Sequence, residues 1–323
     1  MFVVIGTTTV DLIVHGMPAL AGLADGFRAD NLVFCQEPLL MLMGGNGGNA
    51  AYVLSKLGAA TTLCSSIGQD DLGDWLVAKL TAQGVNWDGL IRYPGLATST
   101  STILLDSDER QSVFHHKGAT DALRLTAVHE TLFAQADVLL ASSYSLFPHL
   151  RAGGFARALE LTCAAGGTTA LDIGPAIGAP VTIAEIEPLF PHLDYLLANT
   201  HELKVCTGEE DWETAVTTLL AKGCHCVVVK CGSSGAALRS RELNLDIPAL
   251  SVVANISIGA GDAFNAGFLF GLQRFKVSRD LRDSQDLLKA LRFGTVTAAL
   301  VVSGKRGVLS APTLAEVEVL LHD

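Results

Sequence analysis

Short continuous apolar runs alternate with longer amphipathic stretches along most of the chain. Met1-Phe2-Val3-Val4-Ile5-Gly6 reads as a buried strand, and Gly6 to Val14 as a turn followed by a second apolar segment that leaves Asp11 near the end of strand one. Residues Asn31 to Pro38 fit a short strand outside the main sheet. Val53, Leu54 and Leu57 share one helical face, with Gly58 as the stop. Thr61 to Ile67 reads as a strand, and Gly68 to Gly73 as a turn whose acidic residues cap a helix over Trp75 to Gln83. Leu90 to Arg92, Thr98 to Leu105 and Gln111 to His116 are β-prone. A polar turn over Asp106 to Arg110 makes the last two a hairpin.

From Ala136 onward the pattern is doubly wound. It predicts strands at Val138 to Ala141, Thr169 to Ile173 and Tyr195 to Ala198, with helices at Ala152 to Ala165 and Thr182 to Leu189 between them. Val227 to Val229 is a buried strand leading into a glycine hairpin. Phe264, Phe268 and Leu272 mark a helix, and two further helices follow over 280–303 and 313–321.

Composition narrows the class. A chain of 323 residues with 49% hydrophobic and 17% charged residues is globular and long enough for a large core. Its net charge of -11 argues against a nucleic-acid surface, which needs a basic stripe. No apolar run is long enough for a membrane span, and the N-terminus lacks the basic region of a signal peptide, so a cytoplasmic protein is expected. The seven cysteines are scattered and odd in number, against a disulfide framework. Cys224-His225-Cys226 has no second close pair to complete a metal site, and its alternation with Val227 and Val229 suits a strand.

The candidate chemistry lies in glycine-rich stretches. Gly259-Ala260-Gly261-Asp262 feeds a helix whose first N–H groups and positive dipole end suit an anion. A carboxylate among such donors repels a resting phosphate. It makes better sense as a base beside a phosphoryl group in transit, which points to transfer onto a hydroxyl. A plain loop-to-helix entry with Asp262 as cap is the alternative. Asp11, at a strand end where ligands gather, also fits a turn or cap. Asn199 and Glu202 read as a capping box.

Gly259-Ala260-Gly261-Asp262-Ala263-Phe264 with Gly267-Phe268 resembles the C-terminal signature of the ribokinase-like (PfkB) carbohydrate kinases. Gly44-Gly45-Asn46-Gly47-Gly48-Asn49, running into a helix that ends in Leu57-Gly58, resembles their N-terminal signature. The resemblance covers nearly the whole chain. It implies a three-layer α/β/α fold with a mostly parallel central sheet and a small β lid, the main domain taking residues 1–12, 40–88 and 118–323 and the lid 13–39 and 89–117.

It further implies an ATP-dependent, Mg²⁺-assisted kinase for a small sugar or sugar acid. Asp262 would be the base and Gly259, Ala260 and Gly261 the anion hole. Asp11, Gly44, Gly45 and Asn49 would hold the acceptor, and Asn199, Lys230, Gly232 and Gly235 the nucleotide. Glu202 would organise Mg²⁺ through water. His115, His116 and Lys117 mark either a substrate contact or a solvated lid edge, and an exposed lid sheet offers edges for a homodimer. A nucleoside kinase, which would differ in lid aromatics, of which this lid has few (Phe34, Tyr93 and Phe114), and a non-catalytic sugar-binding regulator are the alternatives.

Three departures from the family pattern matter. Asp172-Ile173-Gly174 lacks the asparagine of Asp-x-Asn, and Ser142-Ser143-Tyr144 lacks the ribokinase glutamate, which disfavours ribose. Ile256 replaces an aspartate that helps bind a monovalent cation, so little potassium activation is expected.

Overall fold

The computed structural model describes residues 1–17, 35, 37–106, 111–176, 179–279, 281 and 283–321. The chain begins with β1 (Phe2–Ile5), β2 (Thr9–Met17), β3 (Leu40–Gly44), α1 (Asn46–Lys56), β4 (Thr61–Gly68), α2 (Asp71–Gln83) and β5 (Asn86–Tyr93). Next come β6 (Thr100–Asp106), β7 (Gln111–His116), α3 (Ala127–Ala134), β8 (Val138–Ala141), α4 (Phe155–Ala164), β9 (Thr168–Asp172) and α5 (Ile183–Ile186). It closes with β10 (Tyr195–Asn199), α6 (Thr200–Thr207), α7 (Trp212–Ala221), β11 (Cys226–Lys230), β12 (Ala236–Ser240), β13 (Asn244–Ile247), α8 (Ala260–Arg274), α9 (Ser284–Ser303) and α10 (Leu314–Leu321).

The large sheet runs β13-β12-β11-β10-β9-β8-β1-β4-β5. It is parallel from β11 to β5, and β12 and β13 add an antiparallel edge. β1 shows why both faces are covered. Phe2 and Val4 join the core under α1, α8 and α9, while Val3 and Ile5 join the core under α4 and α7, and all four are buried. The chain starts at β1, moves outward through β4 and β5, and returns to β8 on the other side of β1. That reversal opens a crevice beyond the carboxyl ends of β1 and β8.

A separate sheet runs β3-β2-β6-β7, with β2 and β6 parallel and the other pairs antiparallel. Its membership differs from the sequence expectation at three points. Asp11 lies within β2, because Thr9 to Ile13 pairs with Leu40 to Gly44 instead of ending strand one. The strand anticipated over Asn31 to Pro38 falls largely outside the described residues, and Leu40–Gly44 is the strand that pairs. Leu90 to Arg92, placed with the lid from sequence, belongs to β5 and pairs with β4 at the edge of the large sheet. The turn over 107–110 and Phe34 lie outside the described residues. The helix expected over Thr182 to Leu189 is α-helical only to Ile186, where Pro188 and Pro191 impose a tighter helical turn over Glu187–His192. Cys224 and Cys226 are buried strand-side residues, and among the described residues no cluster of His, Cys, Asp or Glu could hold a metal ion by itself.

Candidate active site

α8 starts at the crevice. Gly259 holds φ 82° ahead of the first turn, and a Cβ there would lie 2.6 Å from Val308 Cγ1, so only glycine makes this entry. The Ala260 N–H donates to the Ser257 carbonyl at 3.2 Å. This departs from the expected Gly259-Ala260-Gly261 donor set. Within Gly259 to Asp262, the N–H groups of Gly259, Gly261 and Asp262 have no acceptor among the described residues.

The Asp262 side chain faces α1. Its Oδ1 accepts from Asn46 Nδ2 and its Oδ2 from Asn49 Nδ2, both at 2.8 Å. Burial pushes its carboxyl up to about 6; the Asn49 hydrogen bond opposes the rise, Asp172 adds to it, and Asn46 and Lys230 oppose it. At neutral pH Asp262 is therefore mostly ionised and close to the optimum for a general base. Asn49, expected to meet the acceptor, spends its nitrogen on Asp262. Its Oδ1 is buried without a hydrogen-bond partner.

The glycines ahead of α1 bring the second sheet to this point. Gly45 has φ 84°, and a Cβ there would sit 2.5 Å from the Thr7 carbonyl oxygen. A Cβ on Gly44 would lie 2.0 Å from Asp11 Oδ2, so the Asp11 carboxylate lies directly over the Gly44 backbone. Asp11 Oδ1 accepts from Thr9 Oγ1 at 2.9 Å. Burial raises its pKa, and hydrogen bonds from Thr9 and Ser101 together with His115 partly offset the rise. His115 is linked to Ser101 Oγ through Nδ1 at 3.2 Å. Burial lowers its pKa, and the nearby Asp11 carboxylate partly offsets the fall. Lys117 is exposed and paired with Asp121 at 3.6 Å.

On the far side of the α8 entry lies a cavity of about 600 Å³, a size suited to a nucleotide. Phe264, Ala298 and Val302 give it an apolar wall, while Lys230, Gly235 and Gly261 line its polar end. Gly232 (φ 57°) and Gly235 (φ 102°) shape the β11–β12 hairpin beside it. Lys230 Nζ would lie 3.6 Å from a Cβ on Gly261, at the start of α8. Sequence reasoning missed what holds it there. Asp172 Oδ2 takes Lys230 Nζ at 2.5 Å and also Asn265 Nδ2, and Asp172 Oδ1 accepts the Gly174 N–H. Burial works against the ammonium, but Asp172 and Glu202 outweigh it and hold Lys230 at about 12.

Asn199 and Glu202 form a reciprocal cap: Asn199 Oδ1 accepts the Glu202 N–H at 2.8 Å, and Glu202 Oε2 accepts the Asn199 N–H at 2.7 Å. Both residues expected at the nucleotide and metal are thus engaged in the helix start, with Glu202 Oε1 left over. Burial raises the Glu202 carboxyl to about 7, Lys230 opposing and Asp172 adding to the rise. A carboxyl so poised is ionised readily by an added cation. Asn46, Thr7, Ser143 and Asn265 are site residues that the sequence did not single out. Asn46 alone carried a signal, its place inside the first glycine motif.

Several comparisons bear on this geometry. Fructokinase-1 of Zea mays is 27% identical over 323 residues, covering 97% of this chain and 96% of that protein. The structure of Thermotoga maritima ribokinase superposes with a TM-score of 0.79 at 26% identity, covering 100% of this chain and 99% of that one. Xylella fastidiosa fructokinase, solved with bound ATP, superposes with a TM-score of 0.80 at 21% identity over 99% and 98% of the two chains. The pfkB family carbohydrate kinase model matches residues 3–314. With both glycine motifs meeting at one buried aspartate, the chain belongs to the pfkB family of carbohydrate kinases and is a sugar kinase.

Proposed function

We propose that this kinase transfers the γ-phosphoryl group of ATP to a hydroxyl of a small sugar or sugar acid, with Asp262 as general base. The observation that carries this reading is the buried Asp262 carboxylate, set between a nucleotide-sized cavity and the Asp11–Gly44 contact and flanked by free N–H groups of its own helix start. The acceptor lies against Asp11, Gly44, Gly45 and the spare Asn49 Oδ1. Its hydroxyl proton passes to Asp262 as the oxygen attacks the γ-phosphorus, and ADP leaves as the bond to its β-phosphate oxygen breaks.

The Gly259, Gly261 and Asp262 N–H groups donate to the equatorial phosphoryl oxygens, where losing one such donor costs about 3 kcal/mol in other enzymes. Lys230, Gly232 and Gly235 border the phosphates and the nucleotide. Bound Mg²⁺ would neutralise phosphate charge, with Glu202 Oε1 reaching it through water. Among the described residues no helix is long and apolar enough to cross a membrane. Exposed Val113 and Phe114 on edge strand β7 supply a surface for pairing two lids.

The test is ADP release with a panel of D-fructose, D-ribose, sugar acids and nucleosides. We expect turnover with a sugar or sugar acid, and loss of at least about 10³-fold in Asp262→Asn with ATP binding retained. Turnover of nucleosides alone, or near-normal turnover in Asp262→Asn, overturns the reading.

A further inference from the structure

The hydrogen bonds to Asp262 continue past Asn46 to Thr7 and Ser143, neither of which lines the nucleotide-sized cavity. β1 and β8 pair with Ile5 opposite Ala141, so Thr7 and Ser143 emerge side by side just past the paired register. Ser143 adopts φ 59°, a left-handed conformation uncommon for a residue with a side chain. Its Oγ accepts the Thr7 N–H at 3.2 Å and lies 3.0 Å from Thr7 Oγ1 and 3.1 Å from Asn46 Oδ1. Thr7 Oγ1 in turn accepts the Asn46 backbone N–H at 3.2 Å.

A hydroxyl has one proton and two lone pairs, and here they can be counted. Thr7 Oγ1 gives its proton to Ser143 Oγ, whose lone pairs are then filled by Thr7, leaving the Ser143 proton for Asn46 Oδ1. That turns Asn46 Nδ2 toward Asp262 Oδ1. The opposite amide orientation strands the Thr7 proton and sets an amide oxygen against the carboxylate, so one arrangement alone satisfies every group.

We propose that Thr7 and Ser143 lock the Asn46 amide with its nitrogen on Asp262, making Asn46 a positioning residue that holds the base in one rotamer and in its ionised form. Its catalytic meaning rests on the base role proposed for Asp262. The charged groups that face Asp262 are Asp172 from β9, Lys230 from β11 and Glu202 from α6, whereas α1 contributes only the two neutral amides. Changing Asn46 therefore removes a hydrogen-bond donor without altering the surrounding charge.

The experiment is a ¹³C NMR titration of enzyme labelled at aspartate Cγ, with the Asp262 signal assigned by its loss in Asp262→Asn. We expect the Asp262 midpoint to rise by about one pH unit in Asn46→Ala and by about half a unit in Ser143→Gly, which removes the hydroxyl while relieving the backbone. With whichever panel sugar is turned over, kcat of Asn46→Ala at pH 6 should fall roughly fivefold and recover by pH 9, with KM for ATP unchanged. A midpoint within about 0.2 unit of wild type in both variants, or a kcat loss independent of pH, overturns the proposal. If Asn46→Ala fails to fold, Ser143→Gly decides it. The titration needs no turnover, so absence of activity on every sugar would count against the proposed function while leaving this result to stand or fall separately.

Discussion

The buried Asp262 carboxyl has a thermodynamic signature that can be measured apart from catalysis. Burial lifts the Asp262 carboxyl from 3.8 to about 6. At about 1.36 kcal/mol per pH unit, ionising it in the fold instead of in the unfolded chain costs about 3 kcal/mol at neutral pH. The sign follows from the raised value: the associated stability is complete below pH 3.8 and is lost as pH climbs through about 6.

Asp262→Asn removes the charge and with it this cost. It also leaves a single oxygen to receive the two amide nitrogens of Asn46 and Asn49, a mismatch of about 1–3 kcal/mol that the spare Asn49 Oδ1 reduces to the low end if that amide turns. The net expectation is a variant more stable than wild type by about 1–2 kcal/mol at pH 8, or roughly 2–3 °C for a chain of this length. At pH 5 the wild-type carboxyl in the fold is itself mostly protonated, so about half of the cost is gone and the gap narrows, closing fully only toward pH 3.8. Thermal unfolding of both proteins across this range is the assay. A variant less stable than wild type at pH 8, or a gap that does not narrow toward pH 5, refutes the reasoning.

Three further outcomes are expected. Lys230→Met leaves the Asp172 carboxylate, with 2% of its side chain exposed, short of its cation, and should cost about 3–5 kcal/mol in urea unfolding; adding Asp172→Asn should recover at least half of that. Gly235→Ala places a Cβ 2.0 Å from the Ile247 carbonyl oxygen at φ 102°, so the β11–β12 hairpin must shift. Its KM for ATP should rise at least roughly tenfold with the sugar KM little changed, and an unaltered ATP KM would count against the hairpin as nucleotide loop. Ile256 is buried and its side chain has no oxygen for a cation, so replacing NaCl by KCl should change turnover by less than about twofold, and a strong selective activation by potassium contradicts this.

The parts of the site written consecutively in the chain were legible. Gly259 to Asp262 and Gly44 to Asn49 announce a tight glycine turn that enters a helix, and both do enter one. The doubly wound region could be read because β8 to β11 are apolar on both faces. What stayed hidden depends on pairing across the chain. Ser143 gains its role only when β8 lies beside β1, 136 positions away from Thr7, and Asp172 becomes the partner of Lys230 across 58 positions. Local pattern also failed where it was ambiguous. Leu40 to Gly44 is apolar with its outer half exposed, and the three residues between β1 and β2 give no sign that the chain changes sheet there.

That change of sheet has a mechanical consequence. β2 and β3 are joined at their root, where Thr9 pairs with Gly44 beside the crevice, and they run outward to Met17. At about 3.3 Å per residue, Asp11 stands roughly 7 Å from that root and the far end of β2 roughly 26 Å away. A swing of about 10° about the root would carry the tip by roughly 5 Å but Asp11 by only about 1 Å. With Asp11 next to the fulcrum of such a lever, an opening of the small sheet would move its tip far more than Asp11, so the proposed acceptor contact would stay close to Asp262.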